Sequence, residues 1–199
     1  MPSIRHSLDL VLAPLMDMRG QRLALAIARH LEPGQQVLDV GCGDMTLARR
    51  LQPLANVEVM GLDLLDYNRT DLALHTYDGG LFPFPDNHVD TVLLCFVLHH
   101  SRDHEGILRE AHRVARDRVI VLEDLFETWV GLQLTKLHDL VVNKLVCSDV
   151  ACPCTFRREA DWRELFDQLG YGVEQTALIR SLPGNVQAQL LFHLKVLPS

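Results

Sequence analysis

The chain has 199 residues, of which 48% are hydrophobic and 23% are charged, and its formal net charge is −7. This length and composition fit one globular domain with its own core, so we expect a single domain over residues 1–199. The negative charge argues against a nucleic-acid partner and against attraction to an anionic membrane surface.

Three features of the sequence predict a soluble, cytoplasmic protein. The apolar stretch near the start is interrupted by Asp9 and Pro14, and no small-residue cleavage site follows it. The uncharged apolar run from 91 to 98 is too short to span a bilayer, which takes about 20 residues. The five cysteines, at 42, 95, 147, 152 and 154, are an odd number, which fits reduced thiols better than a disulfide framework.

Apolar runs bounded by turn residues alternate with segments of helical period, which is typical of a parallel sheet with helices on both faces. Strands are predicted at 36–40, 57–62, 72–76, 90–98, 118–123, 172–179 and 187–197. Helices are predicted at 20–31, 45–54, 103–115, 129–146 and 159–169. The last two strands are joined by SLPGN, which is too short for a crossover helix. The sequence therefore predicts an α/β, doubly wound, seven-stranded, mostly parallel sheet that ends in an antiparallel hairpin.

The first predicted strand leads into a glycine turn in VLDVGCGDM, residues 37 to 45. Ligands of open parallel sheets lie beyond the carboxyl ends of the strands, and Gly41 and Gly43 would let the backbone approach one closely. Asp44 or Thr46 can cap the helix that follows. Tight turns also use glycine for structural reasons, so the turn alone leaves its function open.

Three carboxylates are predicted at the ends of the first three strands. Asp39 precedes the glycine turn, and Asp63 follows it by twenty residues, where a carboxylate can accept hydrogen bonds from both ribose hydroxyls of an adenosine. Asp78 follows the third strand beside two glycines that free the backbone for an adenine edge. Together the three acids would form one ridge, although Asp63 and Asp78 would equally serve to start loops.

Five segments carry a resemblance to a known family: VLDVGCGDM, GLDLL, DGGLFPFPDNHVDTVLLCFVLHHS, LREAHRV and VIVLEDL. In this order they resemble the motifs of class I S-adenosylmethionine-dependent methyltransferases, and in particular the small-molecule branch that includes quinone-biosynthesis methyltransferases. The resemblance covers about residues 20 to 125. It implies a Rossmann-like fold, S-adenosylmethionine as cofactor, and methyl transfer to a small organic acceptor.

The resemblance also implies which residues bind the cofactor. They share a place at the strand tips: Asp39, Gly41, Cys42, Gly43, Asp63, Leu64, Asp78, Gly79, Cys95 and Phe96. By resemblance Asp39 would orient the loop or meet the α-amino group, and the next three residues would lie against the methionine part and ribose. Asp63 would bind the ribose and Leu64 would lie beside the adenine. Asp78 and Gly79 would contact the adenine, and Cys95 and Phe96 the methionine part.

The chain departs from the family pattern at two places. Met45 stands where the family usually has a third glycine, and ARDR at 115–118 replaces a Pro-Gly-Gly turn before the fifth strand. An NAD(P)-dependent oxidoreductase is the alternative adenosine binder, but its G-x-G-x-x-G fingerprint would need glycine where Thr46 stands. A non-catalytic interaction protein with a methyltransferase-like fold is the other alternative.

His99 and His100, just past the fourth predicted strand, are the candidate catalytic residues. Transfer from a sulfonium can proceed by positioning alone, and a base is needed mainly when the acceptor is a hydroxyl or an acidic carbon. Imidazole titrates in the useful range for such a base. Packing within the loop is the alternative role for both histidines.

The segment 125–156 lies between the fifth strand and the last predicted helix. Its apolar positions 130, 134, 137, 141 and 145 have the period of one buried helix face. It would form a lid over the cofactor, or equally a core or homodimer helix. Soft zinc ligands are present at Cys147, Cys152, Cys154 and His138, but Cys-x-Cys is not the usual zinc spacing, so no metal is predicted.

Overall fold

The computed structural model describes residues 4–126, 133, 155–181 and 188–198. Its helices are α1 (Ile4–Ala28), α2 (Thr46–Ala55), α3 (His104–Val114) and α4 (Glu159–Gln168), with a short 3₁₀ helix at Leu98–His100. Its strands are β1 (Gln36–Val40), β2 (Glu58–Asp63), β3 (Leu74–Thr76), β4 (Val89–Cys95), β5 (Ala115–Leu125), β6 (Tyr171–Ile179) and β7 (Ala188–Val196). Apart from residue 133, the helix predicted at 129–146 lies outside the described residues, as does most of the insert at 125–156.

In the described part of the chain the strands form one seven-stranded sheet in the order β3-β2-β1-β4-β5-β7-β6. The neighbours from β3 to β5 are parallel, and β7 is antiparallel to both β5 and β6. The predicted fold class and its C-terminal hairpin are therefore confirmed. The strand order reverses between β1 and β4, and such a switch point opens a crevice at the carboxyl ends of the strands.

Both faces of the sheet are covered, and the alternation along β5 shows how. Val119 and Val121 belong to the core that α3 and α4 cover, whereas Ile120 and Leu122 belong to the core that α1 and α2 cover. Successive side chains of a strand point to opposite faces, so a strand buried on both sides is a continuous apolar run. This is why the apolar run VIVL, residues 119–122, predicts a central strand.

Helix α1 is longer than the sequence predicts. It begins at Ile4 and continues through Pro14, whereas the prediction began at residue 20. Proline removes one N–H donor from a helix, and this loss makes it a frequent but not an obligatory break. In the two turns of α1 that follow Pro14, Asp17 pairs with Arg50 of α2 and Gln21 accepts a hydrogen bond from it. These contacts attach α1 to α2. Among the described residues, no helix combines the length and apolar character that crossing a bilayer requires.

Strand β4 ends at Cys95, three residues earlier than predicted. Phe96 has a φ of 57°, in the left-handed region, so the backbone cannot continue as a strand. The Phe96 N–H still donates to the carbonyl of Leu122, at 2.8 Å. The chain therefore turns sharply over the tip of β4 and enters the 3₁₀ helix that carries the two candidate histidines.

ARDR at 115–118 is the start of β5 and not a turn. The Arg116 guanidinium donates to the carbonyls of Asn87 and His88, at 2.8 and 2.7 Å. Lys195 of β7 pairs with Asp117. These contacts hold the charged side chains at the start of β5, which follows α3 directly without an intervening glycine turn.

Arg113 of α3 fixes the loop between β3 and β4. Its guanidinium donates to the carbonyls of Phe82 and Phe84, at 3.1 and 2.8 Å, and pairs with Glu110 at 2.6 Å. Glu110 also accepts from the Phe82 N–H at 2.8 Å. The hydrogen bond from Arg113 lowers the pKa of Glu110. The loop is thus attached to a helix that packs on the sheet.

Candidate active site

A cavity of about 260 Å³ opens at the switch point between β1 and β4. Its walls come from α1, the end of β1, the glycine turn, the start of α2 and the tip of β4. The lining residues are Met16, Arg19, Gly20, Leu23, Asp39, Gly41, Cys42, Thr46, Leu47, Cys95 and Phe96. Half of the cofactor residues suggested by the sequence, at 39, 41, 42, 95 and 96, are therefore brought together around one cavity.

Gly41 and Gly43 are both needed for their backbone conformations, but only Gly41 also lacks space for a side chain. Gly41 has a φ of +68°, and its N–H donates to the Leu62 carbonyl at 2.7 Å. A Cβ at this position would overlap Val97 Cγ2 and lie 2.8 Å from Val97 Cβ. Gly43 has a φ of +55° with open space where a Cβ would be. Of the two glycines, therefore, only Gly41 packs closely against Val97, the second residue after the end of β4.

Asp63, the last residue of β2, fixes the glycine turn from the other side. Its Oδ2 accepts from the Gly43 N–H at 2.8 Å, and its Oδ1 accepts from the Leu64 N–H at 2.7 Å. These hydrogen bonds hold the carboxylate at the edge of the crevice. Asp63 thus connects β2 to the turn after β1.

Asp39 is a buried carboxyl group in the wall of the cavity, with 2% of its surface exposed. Burial, together with the nearby charge of Asp63, raises the pKa of Asp39 from 3.8 to about 7. A positive group that approaches a buried carboxyl of this kind favours its charged form and lowers its pKa again. Asp39 is therefore suited to a cationic ligand.

Asp78 and Gly79 follow β3 at the neighbouring strand tip. The Tyr77 N–H donates to the Asp63 carbonyl at 3.1 Å, and Asp78 Oδ1 accepts from the Gly80 N–H at 3.0 Å. A Cβ at Gly79 would lie 3.4 Å from Leu64 Cδ2, and Leu64 is 56% exposed. These residues lie on the open surface beside Asp63. As predicted, the three carboxylates lie at the carboxyl ends of three adjacent strands, with Asp39 and Asp63 inside β1 and β2 and Asp78 just after β3.

Met45 occupies the place of a third glycine and adopts the conformation that glycine favours. Its φ is 64°, and its side chain is fully buried. Space for this side chain comes from Gly61 of β2, where a Cβ would overlap Met45 Sδ and lie 2.6 Å from Cys42 Sγ. The departure from the family pattern is therefore compensated by a glycine on the neighbouring strand.

We expect Gly61→Ala to destabilise the protein by about 1–3 kcal/mol, because the added methyl overpacks the site. In a Met45→Gly background the same substitution should cost less, since the main obstacle is gone. Thermal unfolding of the two single variants and the double variant measures this coupling. Additive effects would contradict the proposed contact.

Arg19 is a cavity residue that the sequence analysis did not identify. Its guanidinium carbon lies 4.8 Å from the centre of the Phe96 ring, and it faces the cavity that Asp39 also lines. Met16, Gly20 and Leu23 recur at the helical spacing that places them on the same face of α1. The same spacing in the sequence would have predicted this helix face, but only for a helix that begins before residue 20.

His99 is paired with Glu123, a second residue that the sequence analysis did not identify. His99 Nδ1 lies 2.5 Å from Glu123 Oε2, and the side chains are 2% and 1% exposed. Glu123 Oε1 accepts from the Leu98 N–H at 2.8 Å. The imidazole of His99 also stacks on the Phe156 ring with a centroid distance of 4.7 Å, and the His100 ring lies 4.3 Å away.

A chain of hydrogen bonds attaches residues 155–157 to the loop after β4. Arg157 Nε donates to His104 Nδ1 at 2.8 Å, so His104 Nε2 carries the proton and donates to Thr155 Oγ1, also at 2.8 Å. The Thr155 hydroxyl then donates to the Ser101 carbonyl at 2.6 Å. Burial and the charge of Arg157 lower the pKa of His104, which keeps it neutral. Phe156 is thereby held against His99.

The cysteines of the site are buried thiols. Burial raises the pKa of Cys42 and of Cys95, so neither is a ready thiolate. Within the described residues, no three His, Cys, Asp or Glu side chains are grouped to hold a metal ion. Cys147, Cys152, Cys154 and His138 lie outside the described residues, and what was inferred about them stays a prediction.

Residues 38–122 match the model of a family described as a methyltransferase domain. A sterol 24-C-methyltransferase of Gibberella zeae is 30% identical over 119 residues, which are 49% of this chain and 31% of that protein. A demethylmenaquinone methyltransferase of Streptomyces griseus is 33% identical over 119 residues, covering 54% of this chain and 50% of that protein. The chain thus matches half or less of the length of these relatives.

Solved structures show the same fold. The crystal structure of an S-adenosylmethionine-dependent methyltransferase from Aquifex aeolicus has a TM-score of 0.64 and 17% identity, and the match covers 88% of this chain and 93% of that one. At this identity the likeness concerns the fold alone. Residues 38–122 therefore carry a methyltransferase domain, and the predicted resemblance to the methyltransferases is confirmed.

Proposed function

We propose that the chain transfers a methyl group from S-adenosylmethionine to a small organic acceptor. The observation that carries this proposal is the cavity at the switch point, where a buried carboxyl, a glycine turn and an arginine meet. The cofactor has a cationic sulfonium and an amino acid end with both charges. Asp39 and Arg19 offer the complementary charges in the lining of one cavity.

In this proposal the other cofactor residues follow the strand tips outward from the cavity. Gly41, Cys42, Gly43, Cys95 and Phe96 surround the methionine part. Asp63 binds the ribose hydroxyls, and the adenine lies on the exposed surface of Leu64 with Asp78 and Gly79 at its edge. The exposure of Leu64 supports this placement, because an apolar side chain at a strand tip is suited to one face of a planar base.

The rate of transfer would come mainly from positioning. The sulfonium is already an activated leaving group, so the chain must hold the acceptor in line with the methyl carbon and exclude water. Such preorganisation can contribute about 7–11 kcal/mol. His99 and His100, beside the β4 tip, are the proposed catalytic residues, and His99 is the better supported because a buried carboxylate holds it.

Titration calorimetry with S-adenosylhomocysteine tests the proposal. We expect binding to the wild type and a loss of about 10- to 150-fold in Asp63→Asn, because a charge-assisted hydrogen bond contributes about 1.5–3 kcal/mol. Asp71→Asn is the matched control, since Asp71 is 75% exposed and pairs only at the surface with Arg49. Absence of binding to the wild type, or binding of NADH in its place, would refute the proposed function.

Several finer statements rest on the sequence. We keep the proposals of a single domain over residues 1–199, a lid-like insert at 125–156, a homodimer as one arrangement for its helix, and a cytoplasmic location. The odd number of cysteines supports the last. The net charge of −7 supports a small-molecule acceptor over nucleic acid.

A further inference from the structure

Phe96 has an unusual backbone conformation for its side chain. Its φ of 57° lies in the left-handed region, which is unfavourable for any residue with a Cβ. Four non-glycine residues have a positive φ in the described part of the chain, and two of them are asparagines, which tolerate it. A strained residue persists only where its surroundings impose the strain, and such residues cluster at ligand sites. A role in the cavity would therefore explain the conformation of Phe96.

The left-handed turn directs the Phe96 ring toward α1. The Phe96 N–H donates to the Leu122 carbonyl at 2.8 Å, so the backbone stays attached to β5 while it leaves the line of β4. The side chain lines the cavity and packs against the core that α1 and α2 cover. The guanidinium carbon of Arg19, on α1, lies 4.8 Å from the centre of the ring. This distance is within the range of a cation–π interaction, which extends to about 6 Å.

Arg19 has hydrogen-bond donors that the described residues do not use. The guanidinium groups of Arg50, Arg113 and Arg116 each pair with a carboxylate. Arg19 forms no hydrogen bond or ion pair with a described residue, and its direct contact is with the Phe96 ring. Contact of the guanidinium carbon with an aromatic face leaves N–H donors of the group available. These donors can therefore bind an anionic group in the cavity.

The Phe96 ring restricts the positions that the guanidinium can take. Arginine has a long side chain, and fixing it in one position when a ligand binds costs conformational entropy. A ring that already holds the guanidinium at the cavity lowers that cost, which is the benefit of preorganisation. A guanidinium binds a carboxylate through two parallel hydrogen bonds. The cofactor of the proposed function carries one carboxylate, on its amino acid end.

We propose that Phe96 is a positioning residue, whose ring holds the guanidinium of Arg19 at the cavity so that Arg19 binds the carboxylate of S-adenosylmethionine. This inference rests on the proposed function. The left-handed conformation of Phe96 then serves to bring the ring from the tip of β4 to Arg19 on α1. The pair should favour a cofactor with a carboxylate over one without it. A ring that served packing alone would contribute equally to the binding of both.

Titration calorimetry with two probes tests the inference. S-adenosylmethionine and decarboxylated S-adenosylmethionine share the adenosine, the sulfonium and the amino group, and they differ by the carboxylate. The variants are Phe96→Leu, Phe96→Tyr, Arg19→Met and the double variant with Arg19→Met and Phe96→Leu. Thermal unfolding shows that each variant is folded.

Two substitutions elsewhere are matched controls. Phe84→Leu removes a half-buried ring that stacks on His88 in the loop between β3 and β4. Arg22→Met removes an exposed guanidinium about one turn further along α1. Neither substitution should change the ratio of the dissociation constants of the two probes.

We expect the wild type to bind S-adenosylmethionine about 10- to 150-fold more tightly than the decarboxylated probe. Arg19→Met should abolish this preference. Phe96→Leu should weaken S-adenosylmethionine binding by about 2- to 30-fold, the range of a cation–π interaction, and change binding of the decarboxylated probe by less than about twofold. Phe96→Tyr keeps an aromatic face and should retain the preference. In the Arg19→Met background, Phe96→Leu should cause no further loss.

NMR of the cofactor-free protein tests the contact itself. Protons held over an aromatic face resonate upfield, so the δ-methylene protons of Arg19 should be shifted upfield in the wild type and return toward their ordinary position in Phe96→Leu. The exposed Arg22 is the reference. An unshifted Arg19 in the wild type would overturn the inference even if Phe96→Leu did not fold.

Three binding results would also overturn the inference: equal affinity of the wild type for the two probes, an equal loss for both probes in folded Phe96→Leu, or losses from Phe96→Leu and Arg19→Met that multiply in the double variant. A wild type that binds neither of the probes nor S-adenosylhomocysteine would instead count against the proposed function. The two failures are therefore distinguishable.

Discussion

Gly41→Ala lowers the melting temperature by about 4–20 °C in the cofactor-free protein. The alanine must adopt a φ of +68°, which costs about 1–2 kcal/mol for a residue with a Cβ. Its methyl also overlaps Val97, and such overpacking costs a further 1–3 kcal/mol or so. For a chain of this size each kcal/mol corresponds to about 2–4 °C. Differential scanning calorimetry measures the shift.

Gly43→Ala is the matched control, because its φ of +55° is similar but a Cβ there meets open space. Gly43→Ala should lose only the stability that the left-handed backbone conformation costs, about 1–2 kcal/mol. Val97→Ala should partly rescue Gly41→Ala, since it removes the Cγ2 atom that the new methyl overlaps. Equal losses in the two glycine variants would show that the contact with Val97 is unimportant.

The elements that the sequence predicts well are those whose signal is local. The end of β1 and the glycine turn follow from an apolar run, Asp39 and two glycines within nine residues. The hairpin of β6 and β7 follows from a connection that is too short for a helix. The expected cap of α2 is wrong, because the N-cap residue is Met45 without a side-chain capping hydrogen bond, and Asp44, one residue before it, accepts from the Thr46 N–H at 3.1 Å.

What the sequence does not show depends on contacts between distant segments. Arg19 enters the cavity because α1 continues through Pro14 and packs on α2. Glu123 reads as one more strand residue until the backbone reversal at Phe96 brings His99 to it. The role of Gly61 follows only from Met45, sixteen positions earlier, whose side chain fills the space. No periodicity encodes such pairs.

Asp39→Asn should stabilise the cofactor-free protein at pH 8 while it weakens cofactor binding. Burial raises the pKa of Asp39 from 3.8 to about 7 in the folded state, so the folded protein holds this proton more tightly than the unfolded chain does. The stability that results is present below pH 3.8 and is lost as the pH rises to about 7. Three pKa units correspond to about 4 kcal/mol. This is the largest gain in the free energy of unfolding that we expect from Asp39→Asn, because asparagine carries no charge.

The gain in Asp39→Asn should therefore grow between pH 4 and pH 7 and remain constant above, as denaturant unfolding at several pH values measures. Binding of S-adenosylmethionine has the opposite dependence, because the cationic cofactor favours the ionised carboxyl and expels its proton. Wild-type affinity should fall about tenfold from pH 8 to pH 6, and Asp39→Asn should lose this dependence. The same carboxyl would then cost stability in the empty site and provide the charge that the sulfonium requires. Parallel pH profiles of stability in the two proteins would rule out this coupling.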